Sequence, residues 1–395
     1  MQSKEKVIET ILTRGVEQIT DKTHLSKALH SGGKLRIKHG IDPTGPKIHI
    51  GRASTLWKLR AFQDLGHKIV LIIGDYTAQI GDASDKLSKR PFLSSTQVKE
   101  NLKHYTKQLG IVLDMKKVEL HYNSTWFSKM KLREFDELAE LFSVQQMIAR
   151  RNFKERWEKE EEISIRELHY ALYQGYDSVA IKADLEIGGA DQLFNLFAGR
   201  KIQEHYGQKP QDILTTKMLL GLDGRKMSTS WGNIMTVVDS PDEQFGKVMS
   251  MHDKLIAEYF EIATDVPLSS LHEYKEELKQ GNNPKIVKER LAFEIVKRYH
   301  GEKAAQNALE RFEKLFSKKE IPEDVPQLKL PKKEMNVLEL LVAAGISSKS
   351  EARRLLGQNA VELDGARKNN PLETIRPRGG EILKIGKHRF FKISK

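Results

Sequence analysis

The sequence predicts an α/β protein that begins with a doubly wound parallel sheet, continues with helices and ends in a small basic unit. Three observations predict this arrangement. Strand-like and helix-like segments alternate through the first half of the chain, and little strand pattern remains after about Ser240. The last 65 residues contain 14 Lys and Arg against seven Asp and Glu, a net charge of +7 in a chain of 395 residues with a total charge of +12.

The parallel sheet is predicted from one βαβ unit near the N-terminus. Residues 35–41 form a strand-like segment, and Leu56, Leu59 and Phe62 then recur at the spacing of one helix face. Residues 68–74 (KIVLIIG) follow as an apolar, β-branched strand of the kind that parallel sheets bury. Because strand, helix and strand in this order form a parallel unit, we predict a doubly wound domain. Its ligands are expected beyond the carboxyl ends of the strands, near helix N-termini.

The rest of the chain is predicted to be helical, with a linker before the basic tail. Residues 317–334 contain three prolines and many charges with little to bury, which is typical of a linker. The charge of the tail predicts a polyanionic partner. A basic surface that faces only water would give the same count, so charge alone leaves both interpretations open.

The composition excludes several classes of protein and site. The chain contains no Cys, which excludes disulfides, thiolate metal sites and a cysteine nucleophile. Its apolar runs are far shorter than the roughly 20 residues that span a bilayer, so no association with a membrane is expected. The N-terminal residues mix Lys and Glu with scattered apolar residues and lack the apolar core of a secretion signal, which predicts a cytoplasmic protein.

Three local clusters carry candidate chemistry. Residues 42–52 (DPTGPKIHIGR) lie at a strand-to-helix junction, where an imidazole and backbone N–H groups can bind a phosphate. Residues 224–230 (GRKMSTS) form a loop of small residues around a cation, which can close on a triphosphate. In the third cluster, Tyr170, Gln174 and Asp177 share one helix face, and the GGADQ segment follows. A phenol, an amide and a carboxylate on one face suit a small ligand with an amine and a hydroxyl.

Each cluster taken alone also has an ordinary structural interpretation. The first would be a helix-capping loop, the second a surface turn, and the third an internal network of hydrogen bonds. The combination is far more specific than its members.

Together, the HIG motif after the first strand, the KMS-type loop about 175 residues later and the QGYD and GGADQ segments between them resemble a class I aminoacyl-tRNA synthetase. More specifically, the chain is similar to the bacterial tyrosyl-tRNA synthetase family over nearly its whole length. The resemblance implies four segments. They are a Rossmann-like catalytic domain with a dimer-forming insertion at 1–235, an α-helical anticodon-binding domain at 236–320, a linker at 321–334, and a small α+β RNA-binding domain similar to ribosomal protein S-four at 335–395.

The resemblance also implies a reaction in two steps. ATP and L-tyrosine give tyrosyl-adenylate and pyrophosphate, and the 3′-terminal adenosine of tRNA(Tyr) then receives the tyrosine. Because the tyrosine carboxylate is itself the nucleophile, the enzyme would act by positioning and by stabilising charge. Mg²⁺ is expected to arrive with ATP, without metal-binding residues of the protein, and the family resemblance further implies a homodimer.

The site residues implied by the resemblance fall into four groups. Those expected to act in catalysis around the leaving pyrophosphate are Thr44, His49, Arg52, Lys86, Arg90 and Lys226. Those expected to bind ATP are Asp42, His49, Gly51, Thr55, Gly189, Asp191, Met227 and Thr229. Those expected to bind tyrosine, with Asp177 accepting from the phenolic hydroxyl, are Lys38, Asp82, Tyr170, Gln174, Asp177 and Gln192. Those expected to bind RNA are Lys349, Arg353 and Arg354.

Three positions depart from the family pattern. Arg52 replaces the second His of the HIGH motif, and Thr229 replaces the second Lys of the KMSKS-type loop. Lys38 stands where many members have a Tyr that touches the substrate hydroxyl, and an ion pair of Lys38 with Asp177 would keep that carboxylate ionised. These departures concern single contacts with ATP and tyrosine, not the type of reaction.

The sequence leaves three alternatives open. A paralogue that works as an RNA-binding or splicing factor would have no need of Lys86, Arg90 and Lys226, which are all present. A paralogue that charges another amino acid would keep the same motifs. A small nucleotidyltransferase would share the HIG loop, but it would not need a helical domain and a basic tail.

Overall fold

The structure is a computed structural model that describes residues 3–82, 93–228, 231–281, 283–316, 325–332, 334–346, 348–386 and 389–394. The chain divides into two compact units. The first comprises Met1–Val238 and Lys254–Glu273, and the second comprises Asp239–Asp253 and Tyr274–Lys395. In these described ranges no helix is long and apolar enough to cross a membrane.

A six-stranded sheet forms the centre of the first unit. Its strands are β1 (Val16–Ile19), β2 (Arg36–Ile41), β3 (Lys68–Ile73), β4 (Glu119–Tyr122), β5 (Leu185–Gly189) and β6 (Asp212–Thr216). Their order across the sheet is β1–β6–β5–β2–β3–β4. Strands β2 to β6 run parallel, and β1 pairs antiparallel with β6. The predicted doubly wound α/β fold is therefore confirmed.

Helices connect these strands and continue beyond them. Those up to the last strand of the sheet are α1 (Lys4–Thr13), α2 (Lys22–His30), α3 (Ile50–Asp64), α4 (Ser95–Leu102), α5 (Tyr105–Leu109), α6 (Ser124–Phe127), α7 (Leu132–Glu140), α8 (Val144–Ile148), α9 (Arg151–Glu158), α10 (Ile165–Leu168), α11 (Tyr170–Ile181) and α12 (Leu193–His205). Those that follow are α13 (Pro241–Ser250), α14 (Ile256–Ala263), α15 (Leu268–Lys279), α16 (Pro284–His300) and α17 (Glu302–Phe316).

The βαβ unit expected from the sequence is β2–α3–β3. Helix α3 begins after His49, its N-cap residue, and ends shortly before Gly66, whose φ of +90° is one that L side chains rarely adopt. Leu56, Leu59 and Phe62 are buried, as the three-residue spacing predicted. These side chains cover the sheet and leave the N-terminus of α3 at the carboxyl end of β2.

The order of the strands creates a crevice at the carboxyl ends of β2 and β5. From β2 the chain adds β3 and β4 on one side, and it then places β5 and β6 on the other side. Open parallel sheets bind their ligands where the strand order reverses in this way. The crevice lies next to the loop after β2 and the segment after β5, which contain two of the three clusters noted in the sequence.

Residues 254–273 belong to the first unit, although we expected them in the helical domain. The guanidinium of Arg14 donates hydrogen bonds to the carbonyl oxygens of Phe260, Glu261 and Val266, at and beyond the C-terminal turn of α14. These bonds satisfy carbonyl groups that the helix itself leaves unpaired, and they attach α14 to the N-terminal helix. The remainder of the four-segment division stays a prediction.

The last part of the second unit has a small hydrophobic core of its own. It contains the helices α18 (Val337–Ala343) and α19 (Lys349–Gly357), and the strands are β7 (Gln327–Lys329), β8 (Met335–Asn336), β9 (Val361–Leu363), β10 (Ala366–Arg367), β11 (Thr374–Ile375), β12 (Ile382–Ile385) and β13 (Arg389–Ser394). Five strands pair in the order β10–β9–β12–β13–β7, and β11 pairs with β8. Leu341, Val361 and Leu383 are among its most deeply buried residues.

One part of the predicted linker is a strand. Residues 327–329 form β7, which pairs in parallel with β13, and Leu328 is buried in the core described above. The prediction of a linker at 321–334 is therefore wrong for these residues. Leu328 is a single buried residue in a segment rich in charged residues, so the composition of the segment did not predict a strand.

Candidate active site

A cavity of about 510 Å³ opens at the carboxyl ends of β2 and β5, within the size range of sites for small molecules. Apart from Lys38, every residue that we assigned to ATP, tyrosine or catalysis and that the structure describes lines this cavity. These residues are Asp42, Thr44, His49, Gly51, Arg52, Thr55, Asp82, Tyr170, Gln174, Asp177, Gly189, Asp191, Gln192, Lys226 and Met227. The three sequence clusters therefore meet in one site.

Besides Lys38, six predicted residues are elsewhere or outside the described ranges. Lys86, Arg90 and Thr229 lie outside the described residues, so their assignments stay predictions. Lys349, Arg353 and Arg354 are exposed residues of α19 in the second unit. The opposite face of α19 buries Ala352 and Leu356 in the C-terminal core.

His49 presents a hydrogen-bond donor to the cavity. Its Nδ1 accepts from the backbone N–H of Arg52 at 3.3 Å, so the neutral ring carries its proton on Nε2. Burial, together with the nearby positive charges of Arg52 and Lys226, lowers the pKa of His49 to about 3. The imidazole is therefore neutral at physiological pH, with an N–H suited to a phosphate oxygen.

The segment that follows the loop carrying Lys226 pairs with the HIG loop through backbone hydrogen bonds. The N–H of Ile50 donates to the carbonyl of Met235 at 2.9 Å, and the N–H of Val237 donates to the carbonyl of Ile48 at 3.0 Å. Lys226 Nζ lies 3.3 Å from Asp191 Oδ2, across the mouth of the crevice. The pairing thus brings the ammonium group to the end of the cavity that holds His49.

Gly51 allows a close approach of the two loops. A Cβ at this position would lie 2.9 Å from Met227 Sδ and 3.1 Å from His49 Nδ1. A larger residue at position 51 would therefore displace the side chain of Met227 or of His49.

Arg52 supplies a fixed positive charge to the cavity wall. Its Nη1 donates to Tyr105 Oη at 2.9 Å and to the carbonyl of Asp42 at 3.3 Å, and its Nη2 donates to Thr44 Oγ1 at 3.1 Å. These bonds tie the loop after β2 to α5. The departure from the HIGH motif therefore leaves a cation in the site, held by both main-chain and side-chain oxygens.

Asp42 joins the loop after β2 to the α11 face. Its carboxylate accepts from Thr77 Oγ1 at 2.8 Å and from Tyr170 Oη at 2.9 Å. Burial raises its pKa to about 6. A Cβ on Gly74 would lie only 1.9 Å from Asp42 Oδ1, so this arrangement requires glycine at that position.

Asp177 is a buried carboxylate at the base of the cavity. Its Oδ1 accepts from Trp126 Nε1 at 2.9 Å, and Asn123 Nδ2 lies 3.5 Å from its Oδ2. Burial raises its pKa to about 7, against the opposing influence of Lys38 and of these two donors. Asp177 therefore faces the ligand space as an acceptor that titrates near neutral pH.

A chain of amide groups fixes the polar wall near Asp82. Gln192 Nε2 donates to Asp82 Oδ2 at 2.7 Å, and Asn195 Nδ2 donates at 3.0 Å to the side-chain oxygens of both Gln192 and Gln174. With the phenol of Tyr170 nearby, these groups offer oxygen atoms to a cation. The wall therefore suits an ammonium group.

The expected ion pair between Lys38 and Asp177 does not form. Lys38 Nζ pairs with Glu186 Oε1 at 2.9 Å, and Lys38 does not line the cavity. The reason is the strand pairing, because Lys38 on β2 and Glu186 on β5 are register partners on adjacent parallel strands. A direct contact between Lys38 and a ligand is therefore not supported.

Sequence reasoning missed several residues of the site. Asn123 and Trp126 follow β4, Tyr105 belongs to α5, and Glu186 and Asn195 stand before and after the GGADQ segment. Asn123 and Trp126 could have been predicted, because residues that follow a parallel strand are expected near the ligand. No local pattern distinguishes Tyr105, whose partner Arg52 is distant in sequence, or Asn195, which bonds to the distant Gln174 as well as to its neighbour Gln192.

The chain matches two family models that together cover most of its length. Residues 30–317 match the tRNA synthetases class I (W and Y), and residues 318–392 match the tyrosine–tRNA ligase SYY-like C-terminal domain. A tyrosine–tRNA ligase of Thermotoga maritima is 45% identical over 387 residues, which cover 97% of this chain and 96% of that protein. The chain belongs to the tyrosine–tRNA ligase family. It is therefore an aminoacyl-tRNA ligase, and the use of ATP follows from this membership.

Further relatives of the tyrosine–tRNA ligase family agree with this assignment. The tyrosine–tRNA ligase of Aquifex aeolicus is 41% identical over 385 residues, which cover 97% of each chain. The solved tyrosyl-tRNA synthetase of Archaeoglobus fulgidus, complexed with L-tyrosine, has a TM-score of 0.62 at 20% identity and covers 78% of this chain and 100% of its own. This structural likeness supports the class I fold of the first unit.

Proposed function

We propose that the protein activates L-tyrosine with ATP to give tyrosyl-adenylate and pyrophosphate, and then transfers tyrosine to the 3′-terminal adenosine of tRNA(Tyr). The observation that carries the proposal is the composition of the cavity. One end holds His49, Arg52 and Lys226, which suit phosphates, and the other holds the buried acceptor Asp177. A ligand that has a hydroxyl at one end and a phosphate at the other, as tyrosyl-adenylate has, matches both ends.

The tyrosine half of the site has a group for each polar end of the amino acid. Asp82, Tyr170 and Gln174 receive the ammonium group, with Gln192 holding Asp82 in place. Asp177 accepts from the phenolic hydroxyl, while Trp126 holds the carboxylate from behind. A site built to bind a hydroxyl disfavours the analogue that lacks it, because the buried acceptor is then left without its partner.

The ATP half supports an in-line displacement. The tyrosine carboxylate oxygen attacks the α-phosphorus and forms the new O–P bond, while the bond between that phosphorus and the bridging oxygen breaks and pyrophosphate departs. His49 Nε2–H, Arg52, Thr44 and Lys226 would stabilise the negative charge on the departing group. No side chain forms a covalent bond in this step.

The remaining nucleotide contacts are proposed from the same wall. Gly189 ends β5 and Asp191 follows it, and both would bind the ribose, while Met227 and Thr55 would lie along the nucleotide. Mg²⁺ would enter as part of MgATP, bound to phosphate oxygens.

We further propose a cytoplasmic homodimer. The segment between β4 and α11 exposes large apolar side chains, including Leu132 at 84% and Trp157 at 64% exposure. Exposed apolar side chains concentrated in one segment are typical of a protein interface. This segment corresponds to the insertion that the sequence resemblance associates with dimer formation.

The exposed basic side chains of α19 are proposed to bind the tRNA backbone. Lys349, Arg353 and Arg354 face away from the C-terminal core, where a row of phosphates can approach them. Removal of residues 325–395 should spare adenylate formation, because the hydrophobic core of this part is its own. It should weaken tRNA charging, with an effect that grows with salt concentration. Loss of both activities would show that the segment is needed for folding of the rest.

Tyrosine-dependent exchange of labelled pyrophosphate into ATP tests the proposed activity directly. We expect exchange with tyrosine and little with the other amino acids. Absence of exchange with tyrosine in a protein that still binds tRNA would overturn the proposed reaction and favour an RNA-binding role. Exchange with a different amino acid would instead identify a paralogue with another substrate.

A further inference from the structure

Lys38 and Glu186 form an ion pair behind the wall of the cavity. Their side chains are 0% and 1% exposed, and Lys38 Nζ lies 2.9 Å from Glu186 Oε1. Charges removed from water to this extent are costly unless their partners are well placed. Glu186 lines the cavity while Lys38 lies behind it, so the pair connects the ligand site with the interior of the sheet.

The ammonium group of Lys38 is packed against the turn of α11 that carries Asp177. Besides Glu186, it donates to the carbonyl of Gln174 at 2.7 Å and to Ser178 Oγ at 2.8 Å. An ammonium group has three protons, so these three acceptors use all of them. Gln174 and Ser178 stand on either side of Asp177 in the same helix. The positive charge is therefore fixed close to Asp177, without a direct contact.

The same pair orients a second cavity residue, Gln174. Glu186 Oε1 accepts from Gln174 Nε2 at 3.2 Å, while Gln174 Oε1 accepts from Asn195 Nδ2 at 3.0 Å. Glu186 Oε2 is held by Ser178 Oγ at 3.1 Å and by Gln211 Nε2 at 2.5 Å. With Glu186 held in this way, the side-chain oxygen of Gln174 is kept toward Asn195 and the ammonium end of the site.

The groups around Asp177 act in opposite directions on its charge. Burial raises its pKa, Lys38 lowers it from the β2 side, and the N–H donors Trp126 and Asn123 lower it from the segment after β4. Glu186 raises it from the β5 side. Tyr170, about two turns away on the same face of α11, is held neutral, because burial raises the pKa of its phenol well above the usual value. The positive charge among these groups is that of Lys38.

We propose that Lys38 is a specificity-determining positioning residue, whose charge keeps Asp177 a negatively charged acceptor for the hydroxyl of the amino acid and whose pair with Glu186 keeps Gln174 in its binding orientation. The inference rests on the proposed function, because it takes tyrosine as the ligand. Lys38 acts through Asp177 and Gln174 and does not itself touch the substrate.

Two variants and one control test this role. Lys38→Met removes the positive charge, and the double variant Lys38→Met/Glu186→Gln removes both charges while preserving side-chain volume. The control, Arg156→Met/Glu167→Gln, removes a buried ion pair with an Nη1–Oε1 distance of 2.9 Å whose residues do not line the cavity. For each protein, pyrophosphate exchange would be measured with tyrosine and with phenylalanine between about pH 6 and pH 9, with thermal melting to establish folding.

We expect Lys38→Met to lower the ratio of kcat/KM for tyrosine to that for phenylalanine by about tenfold or more, and to move the acid limb of the tyrosine profile upward by about one pH unit. The double variant should fall between Lys38→Met and the wild type, because the opposing charge of Glu186 is also removed. The control should lose stability but keep the wild-type ratio and pH profile. A purely structural role of Lys38 would change melting alone.

Wild-type ratios and acid limbs in Lys38→Met and in the double variant would overturn the inference. If Lys38→Met does not fold, the double variant alone tests the inference. An acid limb of the double variant at the wild-type pH would then overturn it. A wild-type protein without tyrosine-dependent exchange would overturn the proposed function and the inference together. If the wild type shows exchange and the variants keep its acid limb and its tyrosine-to-phenylalanine ratio, only the inference is overturned.

Discussion

Replacement of Asp177 by Ala should remove most of the discrimination between tyrosine and phenylalanine. Asp177 is 4% exposed, so water does not compete strongly for its carboxylate. In the proposed complex it accepts from the phenolic hydroxyl, and Trp126 Nε1 at 2.9 Å holds its other oxygen. The substitution therefore removes the carboxylate to which the phenolic hydroxyl would donate.

The size of the effect follows from two contributions. A hydrogen bond to a charged group contributes about 1.5–3 kcal/mol, which tyrosine loses in the Ala variant. In the wild type, phenylalanine leaves a buried acceptor without its partner at a cost of about 1–3 kcal/mol, and this cost disappears in the variant. The total of about 2.5–6 kcal/mol corresponds to a fall in the ratio of kcat/KM values of about 10²- to 10⁴-fold.

The assay is pyrophosphate exchange with each amino acid at saturating ATP. Asp177→Asn is the matched control, because the amide keeps an oxygen for Trp126 but carries no charge, so its ratio should fall between those of the wild type and Asp177→Ala. If a folded Ala variant keeps the wild-type ratio, the hydroxyl does not bind at Asp177 and the orientation of tyrosine proposed above is wrong.

Three further perturbations test other parts of the site. Because burial raises the pKa of Asp177 to about 7, the carboxyl is protonated below that pH. The kcat/KM for tyrosine should therefore fall on acidification in the exchange assay, and an equal fall in Asp177→Asn would contradict this cause. Lys226→Met should lower kcat of exchange by about 100-fold with little change in the KM for tyrosine, since the cation acts on developing charge; a raised KM with unchanged kcat would place Lys226 in ground-state binding. Gly74→Ala would place a Cβ 1.9 Å from Asp42 Oδ1 and should cost about 1–3 kcal/mol of stability in thermal melting. In the control Gly357→Ala the added Cβ has no such neighbouring atom within 4 Å, so the loss of stability should be smaller.

The parts of the fold that sequence predicted are those that local pattern determines. The three-residue spacing of Leu56, Leu59 and Phe62 specifies which face of α3 is buried, and the apolar run of residues 68–73 specifies a central strand. From these two elements the doubly wound fold and the position of the ligand crevice follow by general rules of parallel sheets. The cavity residues could be named because they lie in the segments that these rules place at the strand ends.

The errors concern contacts between segments distant in sequence. Lys38 and Glu186 pair because β2 and β5 are neighbours in the sheet, and nothing in residues 35–41 indicates which later strand will lie beside them. Leu328 is a single buried residue between charged neighbours, so its strand resembles a linker until β13 pairs with it. In both cases the deciding interaction depends on a register that only the folded sheet establishes.

The antiparallel edge of the main sheet has a consequence for synthesis of the chain. Strand β1, Val16–Ile19, leaves the ribosome nearly 200 residues before its partner β6, Asp212–Thr216. At translation rates of about 5–20 residues per second, β1 waits roughly 10–40 s for the strand that it will cover. Glu17 and Gln18 at its centre are exposed even in the folded protein, and such polar positions disfavour pairing with other chains. Strand β1 is thus suited to remain unpaired until the last strand of its sheet has been made.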